Sequence, residues 1–230
     1  MADLQVIALP MGEFTFRDDD PWPGQTGVVV AYAVPHPAGV FLFDTGFGFG
    51  NQELDDSYKV RARDVVEELR AVGIDPAEVT GVANCHLHAD HSGQNSRFPG
   101  VPIYVQPAEW AVAHGPDEYT ILDWIDFEGA HYEHVAGDHE VAPGIRIFAT
   151  PGHSPGHQSL VVEKPDGPIL LAGQAVYSRG EWAGIPEARH GGDDLGPAGD
   201  RAAYHRSVDR LKALRPKRVL FGHDRQGWPS

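Results

Sequence analysis

Short runs of apolar residues, each ended by glycine, proline or polar residues, recur along the chain and predict β-strands. The runs of the first half are Leu4–Leu9, Val28–Val34, Val40–Phe43 and Gly81–Asn84. A helical spacing of valine and leucine predicts a helix over Tyr58–Val72, which ends before Gly73. The last strand-like run leads directly into a cluster of histidines.

The second half repeats this order. Its strand-like runs are Gly144–Phe148, Ser159–Val162, Ile169–Leu171 and Arg218–Phe221. A helix is predicted over Ala202–Leu214 and ends before Pro216. In both halves a strand therefore follows a helix and leads to histidine, and loops at strand ends are common places for function.

The composition is typical of a soluble globular protein. The 230 residues are 41% apolar and 22% charged, and they predict a single domain over residues 1–230. Eighteen basic and 33 acidic residues give a net charge of −15, which repels nucleic-acid phosphates and anionic lipid. We therefore expect neither a nucleic acid nor a membrane as partner.

The start of the chain and its cysteine content predict a cytoplasmic protein. The opening MADLQVIALP lacks the basic residues and the long apolar segment of a secretory signal. No window approaches the ~20 apolar residues that span a bilayer. Cys85 is the single cysteine, so the chain has no internal disulfide, which fits a reducing compartment.

Three imidazoles and a carboxylate lie within the six residues HLHADH. His86 and His88 are two apart, so they point the same way on an extended segment, and Asp90 and His91 follow where the chain turns. Imidazole together with carboxylate suits zinc or a similar divalent metal. Such a dense cluster predicts a metal site, because buried imidazoles without partners are costly.

HLHADH resembles the HxHxDH signature of the metallo-β-lactamase superfamily. Two further histidines follow in the order of that family, His153 in TPGHSPGH and His223 in LFGHD, and the resemblance begins near Asp44 in FDTG. It implies an α/β fold, the αββα four-layer sandwich, in which two mixed sheets pack face to face with helices outside. The metal site is then expected at one edge of the sheets.

The resemblance also implies which residues hold metal. The first site would consist of His86, His88 and His153, and the second of Asp90, His91 and His223. The cofactor would be Zn²⁺, one or two ions per chain, with another divalent metal as the alternative. Asp44 matches the carboxylate that hydrogen-bonds a ligand histidine and orients it. The competing interpretation is that Asp44 caps the turn before Gly46.

Gln174 departs from the family pattern. It stands where the family has an aspartate that bridges two metals, at the end of the strand-like run Ile169–Leu171. A carboxamide oxygen can coordinate a metal, so Gln174 stays a candidate ligand, but it is neutral and bridges poorly. Three states remain open: two metals bridged by hydroxide alone, one metal, or a degenerate site.

Tyr177, three residues after Gln174, makes the chain most similar to the N-acyl homoserine lactonases within the superfamily. There a tyrosine at this position contacts the substrate carbonyl. The implied reaction is opening of a lactone, or cleavage of an ester, by attack of a metal-bound hydroxide. Asp90 would orient the hydroxide and relay a proton, and Tyr177 would donate to the oxyanion. The alternative is that Tyr177 is a core tyrosine.

The expected partner is a small-molecule lactone or ester, and the oligomeric state is not predicted. A small thioesterase or esterase of a biosynthetic pathway remains an alternative. So does a protein that binds metal or ligand without hydrolysis, or that assists a cyclisation. Aromatic residues that could line an apolar pocket over the metals are Trp22, Phe47, Phe49, Trp110, Tyr119, Trp124 and Trp182.

Replacing Gln174 by aspartate is expected to tighten binding of the second metal. A carboxylate would offset more of the repulsion between two divalent ions than a neutral carboxamide does. Chelator competition under matched conditions measures the affinity of the variant and of the wild type. Equal affinities would contradict the argument.

Overall fold

The structure is a computed structural model that describes residues 4–116, 119–196 and 198–229. The strands are β1 (Ile7–Thr15), β2 (Thr26–His36), β3 (Gly39–Phe43), β4 (Arg61–Ala62), β5 (Val79–Ala83), β6 (Pro102–Val105), β7 (His131–His134), β8 (His139–Ala142), β9 (Ile145–Ala149), β10 (Gln158–Val162), β11 (Ile169–Leu171) and β12 (Arg218–Leu220). The α-helices are α1 (Gln52–Tyr58), α2 (Val65–Ala71), α3 (Ala89–Ser92), α4 (Pro107–Ala113), α5 (Leu122–Ile125), α6 (Arg179–Trp182) and α7 (Arg201–Ala213). Among the described helices, none is long and apolar enough to cross a membrane.

The strands form two sheets. One has seven strands in the order β4-β1-β2-β3-β5-β6-β7, and the other has five in the order β12-β11-β10-β9-β8. Both sheets are mixed: β3 pairs parallel with β5, β11 pairs parallel with β12, and the β1–β2 and β9–β10 pairs are antiparallel. The first sheet uses the strands between Ile7 and His134, and the second uses the strands between His139 and Leu220.

Alternation along the strands explains why the sheets stack. In β2, Val30, Tyr32 and Val34 belong to a buried cluster shared with β9–β12, so this face packs against the second sheet. The other face of β2 packs in a cluster with Val65 and Leu69 of α2. On the outer side of the second sheet, β10 packs in a cluster with Leu211 of α7. Helices therefore cover both outer faces, which gives the four layers of an αββα sandwich.

The predicted helix over Tyr58–Val72 was wrong in its first part. Helix α1 ends at Tyr58, where Lys59 adopts a left-handed backbone with φ 48°. Strand β4 follows, and α2 then begins after Asp64, whose side chain caps the helix by accepting from the Val66 and Glu67 amides. The helix predicted over Ala202–Leu214 corresponds to α7. The prediction of a single domain over residues 1–230 stays a prediction.

Parallel pairing brings the ends of four strands to one edge of the sandwich. Strands β3 and β5 end side by side in the first sheet, and β11 and β12 end side by side in the second. Backbone contacts join the two sheets there, since the Val30 amide donates to the Gly222 carbonyl at 2.9 Å and the Gln158 amide to the Cys85 carbonyl at 2.8 Å. Every candidate metal ligand lies at this edge, either in a loop or in the short helix α3.

Candidate metal centre

Three imidazoles converge beside the end of β5. His86 Nε2 lies 2.8 Å from His88 Nδ1, and His153 Nε2 lies 3.3 Å from the same atom. His86 and His88 come from the segment after β5, whereas His153 comes from the loop between β9 and β10. These three nitrogen atoms form one compact group that could hold a metal ion.

A second group adjoins the first. Asp90 Oδ2 lies 3.3 Å from His91 Nε2 and 3.6 Å from His223 Nε2. Asp90 and His91 belong to α3, and His223 follows β12, so the two sheets both contribute to this group. The ring centroids of His86 and His91 are 4.4 Å apart, which places the two groups side by side. The structure thus brings together all six residues that the sequence assigned to the two sites.

Asp44 contacts the His91 imidazole at Nδ1, the nitrogen that does not face Asp90. Its Oδ2 lies 3.0 Å from His91 Nδ1, and its Oδ1 accepts from the Cys85 amide at 2.7 Å. The residue is 1% exposed and adopts φ 67°, a left-handed backbone that is uncommon outside glycine. This carboxylate therefore orients an imidazole of the second group, and its contacts are not those of a turn cap before Gly46.

Burial keeps most of these imidazoles neutral, which is the form that binds metal. It lowers the pKa of His88 and of His223 to about 4, and it lowers the pKa of His86 and His153 well below the usual value. His91 is the exception. Burial also acts to lower its pKa, but Asp90, Cys85 and Asp44 outweigh that effect and raise it. Two carboxylates thus favour positive charge at this point, and a divalent cation supplies it.

Atoms without partners show that the site fits a metal. Among the described residues, the buried atoms His91 Nε2 and His223 Nε2 make no hydrogen bond. Both point toward Asp90 while their Nδ1 atoms are engaged, by Asp44 for His91 and by the Val28 carbonyl at 2.8 Å for His223. A buried polar atom left without a partner is costly, and a metal ion would satisfy both nitrogens.

Sequence reasoning missed Glu109, which joins the two ligand loops. This residue of α4 is 1% exposed, and its Oε1 accepts from the Leu87 amide at 2.8 Å and from the Tyr119 hydroxyl at 2.6 Å. Its Oε2 accepts from the Ser154 hydroxyl at 2.6 Å and from the Gly156 amide at 3.2 Å. Glu109 therefore fixes the loop of His86 and His88 relative to the loop of His153. No local sequence signal marks a carboxylate with such distant partners.

Gln174 lies at the same edge, but its side-chain amide is turned toward another residue. Its Nε2 donates to Asp194 Oδ2 at 3.1 Å, and its backbone amide donates to His157 Nε2 at 3.0 Å. His157 also contacts the Thr150 hydroxyl through Nδ1 at 2.8 Å, so both of its ring nitrogens have partners. Sequence reasoning missed Asp194, whose backbone carbonyl lies 2.8 Å from His153 Nδ1.

Tyr177 lies against the second group. Its ring stacks on His223 with centroids 4.6 Å apart and planes at 17°. The hydroxyl is buried and, among the described residues, has no hydrogen-bond partner. Burial, followed by the charges of Asp194 and Asp90, raises the pKa of Tyr177, so the hydroxyl keeps its proton and remains a donor.

The structure sorts the candidate pocket aromatics. Tyr119 lies over His88 with ring centroids 4.3 Å apart, and Trp22 lies over Tyr177 at 4.8 Å. Trp182 instead packs in the core outside the second sheet. Trp110 contacts Tyr132 and His114, away from the ligand histidines. Of these four candidates, Tyr119 therefore borders a ligand histidine directly, and Trp22 borders Tyr177, which itself stacks on His223.

Comparisons with known proteins agree with this geometry. A model of the metallo-beta-lactamase superfamily matches residues 21–223. An N-acyl homoserine lactonase from Bacillus sp is 37% identical over 165 residues, which cover 70% of this chain and 62% of that protein. The N-acyl homoserine lactonase AttM of Agrobacterium fabrum is 32% identical over 228 residues, which cover 86% of this chain and 82% of the relative. The chain thus spans less than two thirds of the Bacillus relative.

A solved structure shares the fold. It is an N-acyl homoserine lactone hydrolase with the product N-hexanoyl-L-homoserine bound at its catalytic metal center. The TM-score is 0.78 at 28% identity, and the match covers 98% of this chain and 95% of that one. The predicted αββα sandwich and the resemblance to lactonases of this superfamily are confirmed.

Replacing Glu109 by glutamine is expected to weaken both the fold and the metal centre. The amide would turn a donor toward groups that also donate, so the free energy of unfolding should fall by about 1–3 kcal/mol. The affinity for Zn²⁺ should fall about 10-fold, because the ligand loops lose their common anchor. Chemical denaturation and chelator competition measure the two quantities.

The matched control is Glu67→Gln on α2. Glu67 pairs with Arg70 at 2.7 Å in an exposed ion pair, and its loss should change stability by less than about 0.5 kcal/mol. If Glu109→Gln behaves like this control in both measurements, Glu109 is not an anchor of the site.

Proposed function

The chain belongs to the metallo-β-lactamase superfamily, and from that membership we propose that it is a metal-dependent hydrolase that opens lactones. The observation that carries the proposal is the convergence of two ligand groups, His86 with His88 and His153, and Asp90 with His91 and His223, at one sheet edge. We propose these six residues as the metal ligands and Zn²⁺ as the metal.

A bound divalent ion would supply an activated water molecule and would polarise the carbonyl of the substrate. Asp90 faces both nitrogens of the second group and is only partly buried, so its free oxygen is placed to orient the water and to carry a proton to the leaving alcohol. Asp44 keeps His91 in the orientation that aims Nε2 at Asp90. These residues position the reactants and move the proton.

Tyr177 is the proposed donor to the developing negative charge. Its hydroxyl holds its proton and has no partner among the described residues, so it is free to donate to the carbonyl oxygen of a substrate. Stacking on His223 fixes the ring beside the second ligand group.

The proposed substrates are N-acyl homoserine lactones, since both relatives described above are N-acyl homoserine lactonases. Two aromatic side chains, Tyr119 and Trp22, flank the ligand groups and would pack against an acyl chain. We also propose a cytoplasmic location. It rests on the free, buried Cys85, which fits a reducing compartment.

The activity can be tested with a panel of N-acyl homoserine lactones, open-chain esters and thioesters. Zinc-loaded protein is expected to hydrolyse the lactones, to lose at least about 100-fold of kcat/KM after the metal is removed by a chelator, and to regain it with Zn²⁺. His88→Ala should abolish turnover. His131→Ala, which changes an exposed ring in β7, should leave it at the wild-type level.

Turnover that survives complete removal of the metal would contradict a metallo-hydrolase. Turnover of thioesters without turnover of lactones would replace the lactonase by a thioesterase on the same site. Absence of hydrolysis on every substrate, with metal bound, would favour a non-hydrolytic binding protein.

Replacing Tyr177 by phenylalanine is expected to lower kcat about 100-fold at unchanged metal content, because one donor to the oxyanion is lost while the stacked ring stays. Steady-state kinetics and elemental analysis measure both. Tyr104→Phe is the matched control, since among the described residues the Tyr104 hydroxyl donates to no partner and the ring lies against Phe41. A Tyr177→Phe enzyme with the kcat of the control would remove Tyr177 from the mechanism.

A further inference from the structure

The metal centre has one carboxylate among its six proposed ligands, Asp90. A second carboxylate lies one hydrogen bond away from Gln174, because Gln174 Nε2 donates to Asp194 Oδ2 at 3.1 Å. Gln174 follows β11 at the sheet edge, and Asp194 belongs to the long connection between β11 and α7. The connection therefore places the acidic side chain of Asp194 beside the neutral side chain of Gln174 at the end of β11.

Asp194 contacts the first ligand group as well. Its backbone carbonyl lies 2.8 Å from His153 Nδ1, which leaves His153 Nε2 to face His88. A single residue thus orients one candidate ligand through its backbone and reaches Gln174 through its side chain.

The segment before Asp194 is packed closely against the site. Gly191 and Gly192 are buried, and a Cβ at Gly191 would lie 3.2 Å from the Gln174 carbonyl. The Gly191 amide donates to Glu181 Oε2 at 3.0 Å, and the Tyr177 amide donates to the same oxygen at 2.6 Å. Glu181 therefore ties this segment to the loop that carries Gln174 and Tyr177, and the place of Asp194 follows from that anchor.

The Asp194 carboxylate lies in a place that suits a cation. Asp194 is partly buried, and the hydrogen bond between its Oδ2 and Gln174 Nε2 holds it at the sheet edge that also carries Asp90. Within the part of the chain that the structure describes, no lysine or arginine pairs with it, whereas the neighbouring Asp193 pairs with Arg201 at 3.7 Å. A partly buried carboxylate without a basic partner is better accommodated when a cation balances its charge.

We propose that Asp194 supplies the second carboxylate of the metal centre, and that Gln174 positions it by hydrogen bonding. The proposal rests on the proposed function in that the centre must hold metal. Asp90 and Asp194 together offset more of the charge of two divalent ions than Asp90 does alone. Gln174 then acts as a positioning residue, and the acidic group comes from the connection instead of the strand end.

The test is Zn²⁺ binding by the full chain, measured by competition with a chromogenic chelator and by metal content after dialysis. Asp194→Asn keeps the shape of the side chain and removes its charge. Its more weakly held Zn²⁺ should bind at least about 10-fold more weakly than in the wild type. Asp193→Asn is the matched control, one residue away on the exposed side, and should bind as the wild type does.

A double variant distinguishes the loss of a carboxylate from a structural disturbance of the connection that carries Asp194. Gln174→Asp combined with Asp194→Asn returns a carboxylate to the site and should regain the wild-type affinity. Unchanged affinity in Asp194→Asn, an equal loss in Asp193→Asn, or no recovery in the double variant would each overturn the proposal. So would a wild-type chain that holds a single Zn²⁺.

Metal binding is measured in the absence of substrate. A failure of the Asp194 proposal can therefore be distinguished from a failure of the proposed lactonase activity. If Asp194→Asn loses Zn²⁺ but the wild type hydrolyses no lactone, the proposed lactonase activity is wrong and the proposed role of Asp194 as a metal ligand stands. If the wild type hydrolyses lactones but Asp194→Asn binds Zn²⁺ as tightly as the wild type, the lactonase activity stands and the proposed role of Asp194 is wrong.

Discussion

Polar contacts between the two sheets at their shared edge determine where every candidate ligand lies. The Gln158 side chain, at the start of β10, donates from Nε2 to the carbonyls of Asn84 and Tyr104, both at 2.8 Å, and so joins the second sheet to the ends of β5 and β6. The Tyr32 hydroxyl donates to the Phe221 carbonyl at 2.7 Å, which joins β2 to the end of β12. Buried bonds of this kind are costly to break, so the loops of His86 and His223 are held in one relative position.

That rigid edge concentrates charge in a dry environment. Asp44 and Asp90 lie on either side of His91, and their charges raise its pKa although burial acts in the opposite direction. The remaining ligand imidazoles stay neutral because burial lowers their pKa values by more than the charge of Asp90 raises them. Two carboxylates, four neutral imidazoles and the one imidazole of raised pKa, His91, leave the site short of positive charge, and a divalent cation corrects the deficit. The need for a cation is therefore built into the protein before any substrate arrives.

The local motif made the ligands predictable from the sequence, whereas their supports were not. HLHADH is contiguous, and His153 and His223 follow strands that the apolar pattern predicts. Once the fold was predicted, the convergence of these histidines could be expected as well. Glu109 and Asp194 act through partners far away in the sequence, and a single acidic residue in a connection carries no signal of such contacts. The start of α2 was predicted too early, at Tyr58, because the left-handed residue Lys59 and the short strand β4 leave no clear mark in the apolar pattern.

His153 shows how the connecting segments complete the site. On one side, Glu109 of α4 holds its loop through Ser154 and Gly156. On the other side, the Asp194 carbonyl lies against its Nδ1 atom. Neither support belongs to a strand, so the sandwich fixes the position of the loop while helix α4 and the connection before α7 fix the direction of the imidazole. A substitution in the connection between β11 and α7, such as one that places a carboxylate at residue 194, can therefore alter the metal centre. The strands and their histidines need not change. With the proposed role of Asp194, Gln174 would be compatible with a working site, because the strand end and the connection would together determine which acidic groups reach the metal.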